Sequence, residues 1–163
     1  MNIFVLDKDP ELAALYTCDK HVIKMLLETA QILSTVHHLR NSSVVKEIYK
    51  PTHQKHPCVL WTNECSGNYE WLVELFEQLE YQYESRYHKK HFSYLLLYKY
   101  LKNKPLELPS GPLTTFALAM PEKYKSDDPI LSYRKYYVGE KSSFAKWTEP
   151  ATVPEWFIQL KEK

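Results

Sequence analysis

Two short segments hold most of the side chains that could do chemistry. The first is Cys18-Asp19-Lys20-His21, followed by Lys24 and Glu28. His21, Lys24 and Glu28 are spaced i, i+3, i+7, so on a helix they share one face. Asp19 and Lys20 fall near the start of that helix, where free backbone N–H groups and the helix dipole favour an anion. A histidine and a lysine beside that end suit a phosphate. The plainer reading is a solvated polar stripe, the usual outer face of an amphipathic helix. The second segment is Thr52-His53-Gln54-Lys55-His56-Pro57-Cys58. Two histidines, a lysine and a threonine sit in a loop that runs into a proline-started helix, where binding groups concentrate. The chemistry on offer is phosphate contact, general acid/base catalysis by histidine or metal ligation. The plainer reading has one histidine capping the backbone and the other in solvent.

A third stretch is aromatic and basic: Tyr133-Arg134-Lys135-Tyr136-Tyr137, continuing through Lys141, Phe144, Lys146 and Trp147. Cations between aromatic rings suit nucleic acid, the cations meeting phosphates and the rings stacking on unpaired bases. Arg86, Lys89, Lys90 and His91 would extend such a patch. Equally, Tyr133, Tyr137 and Trp147 are candidates for core, with Arg134 and Lys135 outside. No pair of ligands has the CxxC or HExxH spacing that makes zinc a strong reading, so no metal and no cofactor is expected. There is no Gly-rich phosphate loop and no G-x-S-x-G nucleophile motif. Cys18 is either a thiol with a lowered pKa at a helix start or a small buried filler. His37-His38, near a helix C-terminus, is read as structural.

The elements that must position these groups are helical. Residues 2–6 (NIFVL) form a short apolar run, either a buried strand or an extended entry segment. Asp9-Pro10 is a helix start signal, with a short helix through residue 17. The longest amphipathic run spans residues 19–39, with Val22, Met25, Leu26, Thr29, Ile32, Leu33 and Val36 on one face. A loop with a small helical turn near residues 45–49 leads to Pro51. Pro57 opens a short helix. Ser66 reads as the cap of a long helix over residues 68–86, and residues 91–101 form another. Pro105, Pro109, Gly111 and Pro112 mark residues 102–114 as an irregular connection. Asp128-Pro129 opens a helix through Val138, and Pro154 opens a last one over residues 155–161.

The whole chain agrees. Its 163 residues suit one domain, and we expect residues 1–163 to form a single, compact, mainly α domain with room for one short N-terminal strand. Only 3 glycines against 13 tyrosines disfavour a hairpin-rich β fold and supply many amphipathic rings for half-buried surfaces. The net charge of +1 is no global nucleic-acid signature, so a polyanion site must be a local patch. Three cysteines fit a reducing compartment. The opening MNIFVLDKDP lacks a basic start and a long apolar run, so no signal peptide is expected. No apolar stretch is long enough to span a bilayer. The expected location is the host-cell cytoplasm, without membrane contact.

MNIFVLDKDPELAA, CDKH, YKPTHQKHPC and YRKYYVGEKSSFAKW together resemble a small family of tailed-bacteriophage proteins, over nearly the whole chain. More distantly, the layout resembles the pyrimidine-dimer DNA glycosylases of the phage endonuclease V type. Those are small all-helical proteins with an early helix after ELA, a histidine-rich turn and an aromatic-basic tail. That resemblance implies base excision by an amine nucleophile, a nearby carboxylate, basic residues on the first long helix and a nucleotide extruded from the stack. Carried over, the amine is the N-terminus, the carboxylate Asp19 or Glu28, and the basic residues His21 and Lys24. One departure stands out. The family's amine sits on the second residue after Met removal, whereas Asn2 is bulky and Met1 should be retained.

The expected function is a DNA-acting protein of the base-excision type. Asp19, His21, Glu28, His53 and His56 are the candidates for catalysis. Lys20, Lys24, Lys55, Arg134, Lys135, Tyr136 and Tyr137 are the candidates for phosphate or nucleic-acid contact. One alternative is a non-enzymatic protein that sequesters a nucleotide or nucleic acid with the same residues. Another is a His-metal hydrolase centred on Asp19, His21, His53 and His56. The expected partner is DNA or a nucleotide, with a homodimer open because exposed tyrosines suit interfaces. His21 and His56, read as surface polar groups, should be replaceable by Ala with little loss of folding.

Overall fold

The computed structural model describes residues 2–163. They form helices α1 (Pro10–Tyr16), α2 (Asp19–Leu39), α3 (Pro57–Thr62), α4 (Ser66–Tyr87), α5 (Phe92–Leu101), α6 (Pro129–Lys141) and α7 (Glu155–Lys161), with a 3-10 turn at Glu122–Tyr124. The fold is all-helical, as the composition implies. Among the described residues there is no strand. Residues 2–6 instead form an irregular segment with a tight turn from the Phe4 carbonyl to the Leu6 N–H at 2.9 Å, and Ile3, Phe4, Val5 and Leu6 are all buried. A strand needs a second extended edge to pair with, and here side chains take that part. Arg134 Nε donates to the Leu6 carbonyl at 2.8 Å, and Trp71 Nε1 donates to that of Lys8 at 2.8 Å.

Helix α4 is the hub, in contact with α1, α2, α3 and α5, while α2 also packs on α3 and α5. The reason lies in the pattern. Val22, Met25, Leu26, Thr29, Ala30, Ile32 and Leu33 are buried along α2, and Tyr69, Leu72, Leu75, Phe76 and Leu79 along α4. Two long apolar faces of this kind can be removed from water together only by packing on each other. The caps set the register. Asp9 accepts from the Glu11 N–H at 2.9 Å, and Asp128 from Leu131 at 3.1 Å. Helix α4 ends at His88, in the left-handed region with φ 56°, which halts a helix by turning the chain out of its path.

Helix α4 starts two residues before the expected point, because Ser66 does not cap it. Cys65 is the cap residue, and Ser66 Oγ faces the proline-rich connection instead, accepting from the Gly111 N–H at 3.1 Å. Gly67 is required there, since a Cβ would lie 2.4 Å from the Leu113 nitrogen. The expected helical turn near residues 45–49 is a run of hydrogen-bonded turns without a helix.

The tyrosines explain themselves inside the core. Tyr69, Tyr133 and Tyr137 are fully buried, and each hydroxyl finds a partner, as buried polar atoms must. Tyr69 donates to the Leu101 carbonyl at 2.7 Å and Tyr133 to that of Ala117 at 2.7 Å.

Candidate active site

The amino-end segment passes beside the middle of α2. There the Asn2 backbone nitrogen donates to Glu28 Oε2 at 3.2 Å. The Asn2 side chain is held at three points. Its Nδ2 donates to the Ala119 carbonyl at 2.7 Å. Its Oδ1 accepts from its neighbour Ile3 at 2.7 Å and from the Cys58 thiol at 3.5 Å. Burial raises the Cys58 thiol to about 11, so it stays protonated and can donate. One helical turn before Glu28, Lys24 Nζ lies 3.6 Å from Glu28 Oε1. A mostly shielded carboxylate therefore sits between a backbone nitrogen and a solvent-facing ammonium.

Asp19, the other candidate carboxylate, is committed elsewhere. Its Oδ1 meets the buried Arg86 guanidinium at 3.1 Å and the Thr148 N–H at 2.9 Å. Its Oδ2 accepts from Thr148 Oγ1 at 2.8 Å. Arg86 also donates to the Thr17 carbonyl at 2.8 Å and to that of Leu15 at 3.1 Å. These bonds lock the start of α2 to α4 and to the tail.

His21 is buried, against the expectation that it lies at the surface. Its ring stacks on Phe4 at 4.5 Å, and its Nδ1 is 3.0 Å from the Tyr137 hydroxyl. Burial, with the charges of Lys141, Lys24 and Lys20, lowers its pKa to about 4. A buried imidazole next to three ammoniums is neutral near pH 7. Tyr137 also binds the Cys18 N–H at 3.0 Å and exposes no face for a base to stack on. Its contribution is to orient His21.

In the histidine-rich loop, the plainer reading holds for the geometry. His56 caps α3, its Nδ1 accepting from the Cys58 N–H at 3.1 Å. Burial lowers its pKa, and Glu28 pulls the other way. His53 is exposed in the left-handed region, with φ 47°, and its Nδ1 lies 2.7 Å from Thr52 Oγ1. Lys55 is exposed beside it. Among the described residues no three His, Cys, Asp or Glu side chains gather where a metal ion could be held. Asp19, His21, His53 and His56 thus form no joint centre.

The tail divides. Arg134 is tied inward, to Asp7 at 3.0 Å and over the rings of Tyr16 and Trp156. Lys135 is exposed and Tyr136 half-buried. Lys141 lies over the Phe4 and Tyr136 rings, and Lys20 lies over Phe144. Lys20, Lys24 and Lys141 therefore bring their charges near the buried His21 from two elements. Sequence reasoning placed Lys141 in the aromatic-basic stretch, but only packing joins it to α2. Arg86 belongs to the interior and not to a surface patch, and His91 caps α5, accepting from the Ser93 N–H at 3.2 Å.

The family model of the pyrimidine dimer DNA glycosylases matches residues 1–95. The chain belongs to that family. The match takes in α1 to α4, and with them Asn2, Asp19, His21, Lys24, Glu28, His53 and His56, but not the tail. Membership makes this a DNA-acting protein of the glycosylase type at family level. No curated protein and no solved structure matches the chain. Among the described residues no helix is long and apolar enough to cross a membrane.

Asn2 is the site residue the sequence reading missed as a contributor. It was weighed only for its bulk. An amide side chain next to the chain start was the signal, but its partners are 26, 56 and 117 residues away.

Proposed function

We propose that this protein is a DNA glycosylase that removes a damaged pyrimidine by amine catalysis at the Asn2–Glu28 site. The observation that carries the reading is the 3.2 Å contact between the Asn2 nitrogen and Glu28 Oε2. It brings a carboxylate from the first long helix to the amino end of the chain, inside the segment shared with the family.

The amine is that of the amino terminus. It belongs to Met1, which lies outside the described residues and is joined to the Asn2 nitrogen that Glu28 accepts from. Its lone pair attacks C1′ of the damaged nucleotide. The bond from C1′ to the base breaks, its electron pair leaves with the base, and the base takes up a proton. The amine loses a proton to Glu28, the C1′–O4′ bond breaks as the sugar ring opens, Glu28 returns the proton to O4′, and an iminium is left between amine and C1′. Glu28 also stabilises the positive charge that develops on the sugar. Lys20, Lys24 and Lys141 meet the phosphates on either side of the extruded nucleotide. His53 and Lys55 on the exposed loop, and Lys135 and Tyr136 on α6, extend that contact. Neutral His21 supports the wall on which the lysines sit.

The test is borohydride trapping on a duplex with one pyrimidine dimer, followed by mass spectrometry of the adduct. We expect one glycosidic bond of the dimer to break, the freed base staying joined to its neighbour through the cyclobutane ring, and a covalent adduct on the terminal amine. An adduct on Lys24 would move the nucleophile to that side chain. The absence of both glycosidic cleavage and an adduct would overturn the glycosylase reading.

A further inference from the structure

The second residue of the chain is gripped by its side chain from two sides. A chain end frays unless something ties it down. Burial of Ile3, Phe4, Val5 and Leu6 ties this one to the core, and half-buried Asn2 adds bonds of its own. From the tail, the Ala119 carbonyl accepts from Asn2 Nδ2 at 2.7 Å. From α3, the Cys58 thiol donates to Asn2 Oδ1 at 3.5 Å. Ala119 is itself fixed. Tyr133 of α6, fully buried, accepts from the Ala119 N–H at 3.3 Å and donates to the Ala117 carbonyl at 2.7 Å. Ala117, Ala119 and Tyr133 all lie beyond residues 1–95, the part shared with the family.

We propose that Asn2 is a positioning residue, whose amide, held by the Ala119 carbonyl, keeps the terminal amine at Glu28, and that the tail in this way completes the site. The proposal rests on the glycosylase reading above and adds what fixes its nucleophile. Met1 is joined to the Asn2 nitrogen, which donates to Glu28 Oε2 at 3.2 Å. Once that nitrogen is fixed, the terminal amine stays within the span of one residue, about 3.8 Å. Rate depends steeply on such placement, since a displacement of about 1 Å can cost a hundredfold. The residue type fits the task. The Ala119 carbonyl needs a donor, while the Ile3 N–H and the Cys58 thiol need an acceptor. An amide offers both from separate atoms of one planar group, which an ionised carboxylate or an alkyl chain cannot. The bulk of Asn2 works to the same end, because it keeps Met1, and so places the amine one residue beyond the grip.

The experiment measures single-turnover cleavage of a duplex with one pyrimidine dimer, and the Kd for that duplex, with three altered chains. Asn2→Ala removes the grip. Tyr133→Phe keeps the buried ring and releases Ala117 and Ala119. The third chain carries one glutamine inserted between Met1 and Asn2, which leaves the grip intact and moves the amine outward by one residue. The rate at saturating DNA should fall about tenfold or more for Asn2→Ala and for the insertion, and about threefold or more for Tyr133→Phe. Kd should stay within about twofold for all three, because the lysines that meet phosphates are untouched. The yield of borohydride adduct should fall with the rate. A residue that served the fold alone would instead lower the melting temperature and leave the rate of folded molecules unchanged.

An Asn2→Ala protein that cleaves at the unaltered rate, or one whose rate and affinity fall together, overturns the positioning role while the glycosylase reading stands. An insertion that costs no rate overturns it as well, since the place of the amine would then not matter. Tyr133→Phe at full rate beside a slow Asn2→Ala overturns the part given to the tail. An unaltered protein that neither cleaves nor forms an adduct overturns the glycosylase reading, and the positioning role with it.

Discussion

The buried guanidinium of Arg86 lies 3.1 Å from the Asp19 carboxylate, joining the last turn of α4 to the first residue of α2. Thr148 closes the same carboxylate from the tail side. Removing one partner of a buried pair leaves the other charge unpaired, at about 3–5 kcal/mol. Asp19→Ala should therefore destabilise the fold by about that much in urea denaturation. Molecules that do fold should still form the borohydride adduct, because the proposed reaction runs through Glu28. An Asp19→Ala protein of normal stability but without adduct would return Asp19 to the catalytic role.

Glu28→Gln should behave in the opposite way. The amide is isosteric and can still accept from the Asn2 nitrogen, so stability should change by less than about 1 kcal/mol. Without a base or an anion at that point, glycosidic-bond cleavage should fall about a hundredfold or more. Single-turnover kinetics at saturating DNA separates this loss from weaker binding.

His21 and His56 should part company on mutation. His21→Ala empties a stacked position against Phe4 and orphans the Tyr137 hydroxyl on that side, which should destabilise by about 2–4 kcal/mol. His56→Asn keeps a good capping side chain on α3, whereas His56→Ala loses it, at about 1 kcal/mol. Thermal melts of the three variants check the order. Activity lost in the well-folded Asn variant would assign His56 a chemical part.

Acid should weaken the fold through two buried imidazoles. Burial lowers both His21 and His37 to about 4, the latter held between Tyr69 and Ser42. Unfolded histidines take up protons below about 6.5, and these two resist until about 4. The unfolded chain therefore binds more protons in that window. Their contribution is fully present above pH 6.5 and is lost as pH falls toward 4. The melting temperature should drop between those values by more than the carboxylates alone account for. His37→Asn, though less stable at pH 7, should show a shallower drop.

DNA affinity should carry the mark of the lysine rim. Lys20→Gln, Lys24→Gln and Lys141→Gln should each reduce the slope of log K against log salt by about 0.9 on duplex DNA. Lys163→Gln, at the far end of the tail, serves as the control. A Lys141→Gln slope equal to that of the unaltered protein would separate α6 from the DNA face.

The helices were legible in the sequence because their causes are local. Asp9-Pro10, Asp128-Pro129 and the three- and four-residue apolar spacing of α2 and α4 act within a few residues, and few glycines remove most alternatives. The shared face of Lys24 and Glu28 follows from helix geometry in the same way. What the chain does with those groups was decided by contacts between distant segments. Asp19 and Glu28 are equivalent carboxylates on one helix until packing brings Arg86 to one and Asn2 to the other. His21 reads as a surface imidazole until residues 2–6 thread the core and lay Phe4 on it. Periodicity reports which face of an element is buried, but not which other element covers it. For this protein, that pairing separates the acid bound to Arg86 from the one left beside the amino end.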